Sequence, residues 1–337
     1  GLTSIKIPDS VTKIGFCAFD LCNNLTYVET GNGISTLYGF DFCGNVKLKN
    51  VIIGNNVIDL REGFSGCSGL EKIIVSNKNK VYDSRDNCNA IIETKTNELI
   101  LGCKNTTIPE SVTSIGGWAF SGCTGLVNIV INDNVTHIGY GVFSNCSGLK
   151  KIIVSENNKV YDSRDNCNAI IETKSNKLIM GCKNTVIPDS VTSIAIHAFS
   201  DCIGLTSVKI PNGVTFIGQG TFTGCSGLKS IVIPDSLTQI SIGAFSGCDS
   251  LTEVYYTGSK DEWNKIKIYE YNYSLENAII HYNWKDEEEH KHTLRHITVP
   301  STCKVAGMEY DICSECGKTF NEKTLPLAAH TWSEWTV

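Results

Sequence analysis

The chain has 337 residues and a formal net charge of -6, enough length for one large core or several small ones and no basic cluster suited to nucleic acid. Its apolar runs, such as 99–101 and 169–171, fall far short of the ~20 residues that cross a bilayer, so no membrane span is expected. Sixteen cysteines would mark a disulfide scaffold in a short chain, but a chain this long builds its core without them, so their positions decide their chemistry.

A frame recurs from the first residues. Leu2-Thr-Ser-Ile5-Lys-Ile7-Pro8 returns as Leu205-Thr-Ser-Val208-Lys-Ile210-Pro211 and as Leu228-Lys-Ser-Ile231-Val-Ile233-Pro234. Its leading positions are Leu2, Leu25, Leu48, Leu70, Cys103, Leu126, Leu149, Cys182, Leu205, Leu228 and Leu251. That makes eleven units over 1–251, most of 23 residues and two of 33. The chain opens inside a repeat with no charged or apolar leader before it, so a secretion signal and an anchor are expected outside this sequence.

Each short unit carries an apolar residue nine positions on, as in Val11, Val112 and Val214, a second three further, as in Ile14 and Ile217, and then a Phe slot. Phe19, Phe42, Phe64, Phe120, Phe143, Phe199, Phe222 and Phe245 fill that slot. Eight of the twelve phenylalanines at one repeat position predict a stacked internal spine. Seven cysteines, Cys22, Cys67, Cys123, Cys146, Cys202, Cys225 and Cys248, stand three residues before the next leading residue. Rungs about one strand spacing apart do not suit successive disulfides, so a ladder of buried, reduced thiols is expected. Cys88–Cys103 and Cys167–Cys182 bridges stay open as an alternative.

The two long units, 70–102 and 149–181, share Val-Tyr-Asp-Ser-Arg-Asp-Asn-Cys-Asn-Ala-Ile-Ile-Glu-Thr at 81–94 and 160–173 and contain no Phe. Two β-prone runs around Lys-Thr-Asn or Lys-Ser-Asn predict a hairpin in place of the Phe-bearing turn.

The frame Leu-x-x-Ile-x-Ile-Pro-x-x-Val-x-x-Ile-Gly-x-x-Ala-Phe-x-x-Cys, carried over about 1–255, resembles the BspA-like leucine-rich repeats of bacterial and some protozoan surface proteins. The resemblance implies a leucine-rich-repeat solenoid, a curved right-handed superhelix, mainly β with short helical or 3-10 turns. It also implies export to the cell surface or secretion, and adhesion as the role, although fold alone does not fix function.

In such a strand the leading Leu and both Ile face inward, and the third and fifth residues face out. The fifth position reads Lys6, Glu29, Ile52, Ile74, Val130, Ile153, Lys209, Val232 and Tyr255. The aliphatic stripe through Ile52, Ile74, Val130 and Ile153, extended by Val232 and Tyr255, marks a candidate partner surface. The competing reading is ordinary β propensity. Asp83, Arg85 and Asp86, repeated as Asp162, Arg164 and Asp165, are the next choice as holders of a cation or polar ligand, against a plain turn-building role.

The repeat decays after Leu251, so 252–284 reads as an aromatic end cap and 285–289 as a charged linker. Residues 290–337 form a Cys/His module, expected to be zinc-ribbon-like. A Cys-x-x-Cys-Gly knuckle nominates His292, Cys303, Cys313 and Cys316 as a structural zinc set, with His330 as an alternative ligand. The competing reading is a disulfide from Cys303 to Cys313 or Cys316. His292-Thr and His330-Thr suggest a second copy beginning at 330.

His137 and His197 occupy different repeat positions, and no nucleophile, base or phosphate-loop arrangement accompanies them. Together with what the resemblance implies, the sequence points to a monomeric, non-enzymatic, extracellular protein that binds a protein or glycan partner through the solenoid face. A structural spacer displaying other domains is the alternative.

Overall fold

A computed structural model describes residues 1–37, 41–60, 63–285, 294–299, 307–313 and 319–326. The chain divides into two compact units, 1–283 and 284–337. The first is a β-solenoid of about twelve turns, the leucine-rich-repeat architecture that the frame implies.

Parallel strands from all but two of the units stack along one side of the solenoid. Ser4–Lys6, Tyr27–Glu29, Asn50–Ile53 and Lys72–Val75 pair in order; Asn128–Ile131 pairs with Lys151–Val154; Ser207–Lys209, Ser230–Ile233, Glu253–Tyr256 and Ile279–His281 follow. Register sets equal repeat positions side by side, as in Ile5, Val28, Val51 and Ile73. Those four face inward, and the residues between them alternate outward.

The sheet is interrupted twice, at the units led by Cys103 and Cys182. Thr106 and Thr185 stand where other units place an inward Ile or Val. The Thr106 hydroxyl donates to Asn89 O at 2.7 Å and accepts from the Cys103 N–H, and Thr185 repeats both bonds with Asn168 and Cys182. A buried hydroxyl satisfied by a local turn replaces the strand ladder there.

The long units feed a second sheet. Tyr82–Asp83, Ile91–Glu93 and Glu98–Leu101 run antiparallel, and Glu98–Leu101 then pairs in parallel with Ser114–Ile115. Tyr161–Asp162, Ala169–Glu172 and Lys177–Gly181 repeat this before Ser193–Ile194. Buried Asn79 pins the entry to the first: its amide donates to Gly54 O and Val57 O, and its carbonyl accepts from the N–H groups of Val81 and Tyr82. Asn158 makes the same four bonds. A fully satisfied buried carboxamide fixes a loop without the cost of an unpaired polar group.

The phenylalanine rings stack in three runs. Centroids are 5.1 Å apart for Phe19 and Phe42, 5.3 Å for Phe42 and Phe64, 5.6 Å for Phe120 and Phe143, 5.2 Å for Phe199 and Phe222, and 5.3 Å for Phe222 and Phe245. At the breaks, Phe120 and Phe199 lie against glycine: a Cβ on Gly102 or Gly181 would sit 2.2 Å from the ring. The carbonyls of the same phenylalanines receive the thiols. Cys67, Cys146, Cys225 and Cys248 donate to the carbonyls of Phe42, Phe120, Phe199 and Phe222 at 3.1, 3.0, 3.0 and 3.1 Å. Asn45 takes one thiol position, and its amide donates to Phe19 O and Phe42 O at 2.8 Å each. Cys88, Cys103, Cys167 and Cys182 are free thiols, and the Cys103 and Cys182 sulfurs donate to Asn89 O and Asn168 O.

Beyond Leu251, where the sequence frame is lost, the backbone keeps the rungs. Lys267–Ile268 pairs with Gln239–Ile240, and Ile279–His281 pairs with Glu253–Tyr256. Buried Asn272 accepts from the Phe245 N–H at 3.0 Å, and Trp263 packs edge-on against Tyr256 at 5.1 Å, closing the apolar end. In the second unit Leu294–Val299, Gly307–Cys313 and Thr319–Leu325 form an antiparallel sheet.

Candidate binding surface

The residues of the aliphatic stripe stand on the outward side of the first sheet, in three patches set by its two interruptions. Ile52 lies beside Ile74, Val130 beside Ile153, and Val232 beside Tyr255. Ile74 is 36% and Val130 52% exposed; Ile52, Ile153, Val232 and Tyr255 are half-buried. Ile52 and Ile74 floor an open groove with Asn55 and Asn77 toward one end.

Charge flanks the first patch. Lys6 and Glu29 form an ion pair at 2.9 Å in the same row, and the lysine holds the Glu29 carboxyl below its ordinary range. At the other end of the row the Tyr255 ring stacks on His281 at 4.9 Å, and His281 meets the Glu253 carboxylate at 2.5 Å.

The Asp-Ser-Arg-Asp-Asn segments are braces. Arg85 donates through Nε and Nη2 to both oxygens of Asp83 at 2.8 and 2.6 Å, and through Nη1 to Asn97 at 2.9 Å and Ser111 at 3.2 Å. Arg164 does the same with Asp162, Asn176 and Ser190. The forked guanidinium engages both oxygens of Asp83 or Asp162 and ties the hairpin turn to the next unit.

Sequence reading missed a second set of exposed apolar side chains, on the turns beside the second sheet. Tyr140 is 64% and Trp118 50% exposed. Trp118 and His197 hold left-handed backbone, φ 61° and 57°, at the position where other units carry Gly141, Gly220 and Gly243. Their rings lie over Gly141 and Gly220 in the following units. The alternation of glycine with Cys17, Trp118 and His197 two residues before the Phe was the available signal, because bulky residues adopt φ above zero only under constraint.

His292, Cys303, Cys316 and His330 lie outside the described residues, as does the Cys313 side chain. Val299 and Met308, which flank the connection carrying Cys303, pair at the end of the sheet opposite the Leu294–Cys313 pair. Among the described residues no helix is long and apolar enough to cross a membrane.

No curated protein sequence matches the chain. Among solved structures, a leucine rich cell surface protein from Faecalibacterium prausnitzii A2-165 is 24% identical, over 79% of this chain and 82% of that one, with a TM-score of 0.46. A leucine-rich repeat protein from Bacteroides ovatus ATCC 8483 is 30% identical over 83% and 66%, with a TM-score of 0.37. The pneumococcal vaccine antigen PcpA is 16% identical over 85% and 69%, with a TM-score of 0.43. The BspA type leucine rich repeat region (6 copies) matches residues 1–96, 90–178 and 169–290. On that match, and on the repeat and ladder described above, the chain belongs to the BspA type leucine-rich repeat family.

Proposed function

We propose that this is a non-enzymatic extracellular protein, held at the cell surface or secreted, that binds a protein or glycan partner through the outward face of its first sheet. The observation that carries the reading is the register-matched pairing of Ile52 with Ile74 and Val130 with Ile153 on the solvent side. Outward aliphatics aligned across adjacent rungs make paired apolar patches, which a spacer has no use for. The adhesion role implied by the family resemblance agrees with it.

The test is a screen of the purified chain against extracellular-matrix proteins and glycans, followed by the Ile74→Lys/Ile153→Lys double variant. Losing two buried aliphatic contacts weakens a partner held on this face by about 100-fold or more. A partner that binds the double variant as tightly as the parent, with the circular dichroism spectrum unchanged, removes the stripe as the site.

A further inference from the structure

The two long units carry matching residues and backbone at one surface, with different charge. In the first, Asn50, Glu71, Lys72, Asn87, Asn89 and Asn105 line an open groove at the start of the outward strands. Asn128, Lys150, Lys151, Asn166, Asn168 and Asn184 hold the equivalent positions of the second. The backbones agree closely: φ is 52° and 53° at Asn87 and Asn89, and 50° and 54° at Asn166 and Asn168. Asn89 donates to Asn105 O at 3.3 Å and Asn168 to Asn184 O at 3.2 Å.

In the first groove one carboxylate, Glu71, engages two of the surrounding ammonium groups. Glu71 accepts from Lys104 at 2.7 Å and lies 3.6 Å from Lys49, and Lys104 holds its carboxyl below the usual range. In the second groove Glu71 is replaced by Lys150, and Val127 stands where Lys49 was. Lys183, the counterpart of Lys104, turns its ammonium to Ser147 O at 2.8 Å. Lys150, Lys151 and Lys183 form no ion pair with a described residue. The adjacent rungs contribute Asn128 below and Thr206 and Ser207 above, none of them acidic, and Asp165 repeats Asp86 and so distinguishes neither groove.

Three ammonium groups on neighbouring rungs repel one another unless an anion joins them. They do so beside carboxamides, which both donate and accept and so match neighbouring sugar hydroxyls. The groove of the first unit is open along the surface, and the matching backbone of the second suits a polymer rather than an enclosed small molecule.

We infer that the second long unit carries a binding site for a sulfated polysaccharide, with Lys150, Lys151 and Lys183 taking the sulfate groups and Asn166 and Asn168 the sugar hydroxyls. The inference rests on the reading of the solenoid as a binding protein, but on a different row of residues from the aliphatic stripe.

The probe is heparin, with dextran as the neutral control and single-stranded DNA as the phosphate control, titrated calorimetrically at low and high salt. The parent chain binds heparin, and salt weakens the binding. Lys150→Glu recreates the pairing of the first groove, with Lys183 as partner, and lowers affinity by about tenfold or more. Glu71→Lys opens the first groove and raises heparin capacity toward two sites. No heparin binding at low salt, or unchanged affinity in Lys150→Glu, overturns the site. Equal binding of single-stranded DNA overturns the sugar assignment. Heparin binding that survives Ile74→Lys/Ile153→Lys while every protein partner is lost, or none is found, separates this site from the stripe.

Discussion

Gly181→Ala separates two opposed effects whose sum is read directly. Gly181 has no positive φ, so alanine suits its backbone and, by restricting the unfolded chain, would stabilise by about 0.4–1 kcal/mol. The added methyl, however, would lie 2.2 Å from Cε1 and 2.6 Å from Cζ of Phe199, a ring that is 1% exposed and stacked on Phe222 behind. The ring has no vacant direction, so the methyl acts as overpacking, which costs about 1–3 kcal/mol. The net expectation is destabilisation, measured by urea unfolding followed by circular dichroism, with hydrogen exchange at the amides of 198–202 to catch local opening. Gly15→Ala is the control: nothing lies within 4 Å of its added Cβ, and a small gain is expected. Phe199→Leu in the Gly181→Ala background should recover part of the loss, with coupling of about 1 kcal/mol. A Gly181→Ala protein as stable as the parent, exchanging no faster at those amides, refutes the account of the spine breaks.

The Arg164 brace carries a pH signature. Burial raises the Asp162 carboxyl, but the bonds from Arg164 and Thr173 outweigh it and the net shift is downward. A depressed carboxylate contributes stability above its unfolded value of about 3.9, lost as pH falls through the folded value, so Arg164→Ala should flatten the acid limb of the stability curve. An acid limb of unchanged steepness would count against the brace. Burial also pushes the Cys67, Cys146, Cys202 and Cys248 thiols up to about 12. Since the thiolate is the nucleophile, iodoacetamide at neutral pH should spare these four until denaturant is added, and early alkylation of Cys146 in the native protein would contradict the ladder.

The fold was legible because a repeat states its own geometry many times over. A frame of Leu, two Ile and a Phe at fixed spacing specifies which side of each rung is buried, and Phe42, Phe120 and Phe222 stand where it puts them. What escaped the sequence depends on single residues or on contacts between units. Thr106 reads as a minor exception to the Ile slot, yet its hydroxyl removes a strand. The strand of the last turn, Ile279–His281, has no Leu-led frame and is held by pairing with Glu253–Tyr256. The outward face that carries the candidate site was legible from alternation; its division into three patches was not, because that follows from the lost strands. Trp118 was invisible for a different reason: its exposure follows from left-handed backbone, which side-chain patterning does not encode.

The glycine beneath each isolated ring also marks a seam. Gly102-Cys103 and Gly181-Cys182 are the same junction 79 residues apart, and the apolar clusters change over there, with Cys88 and Cys103 at one boundary and Cys167 and Cys182 at the other. Excising 103–181 would bring Gly102 against Cys182 and lay Phe199 over the glycine that Phe120 now covers. Residues 103–181 thus form one three-turn cassette between matching seams, adding about 14 Å of reach at roughly 4.8 Å per rung. The solenoid's length can change without the invention of a new internal surface.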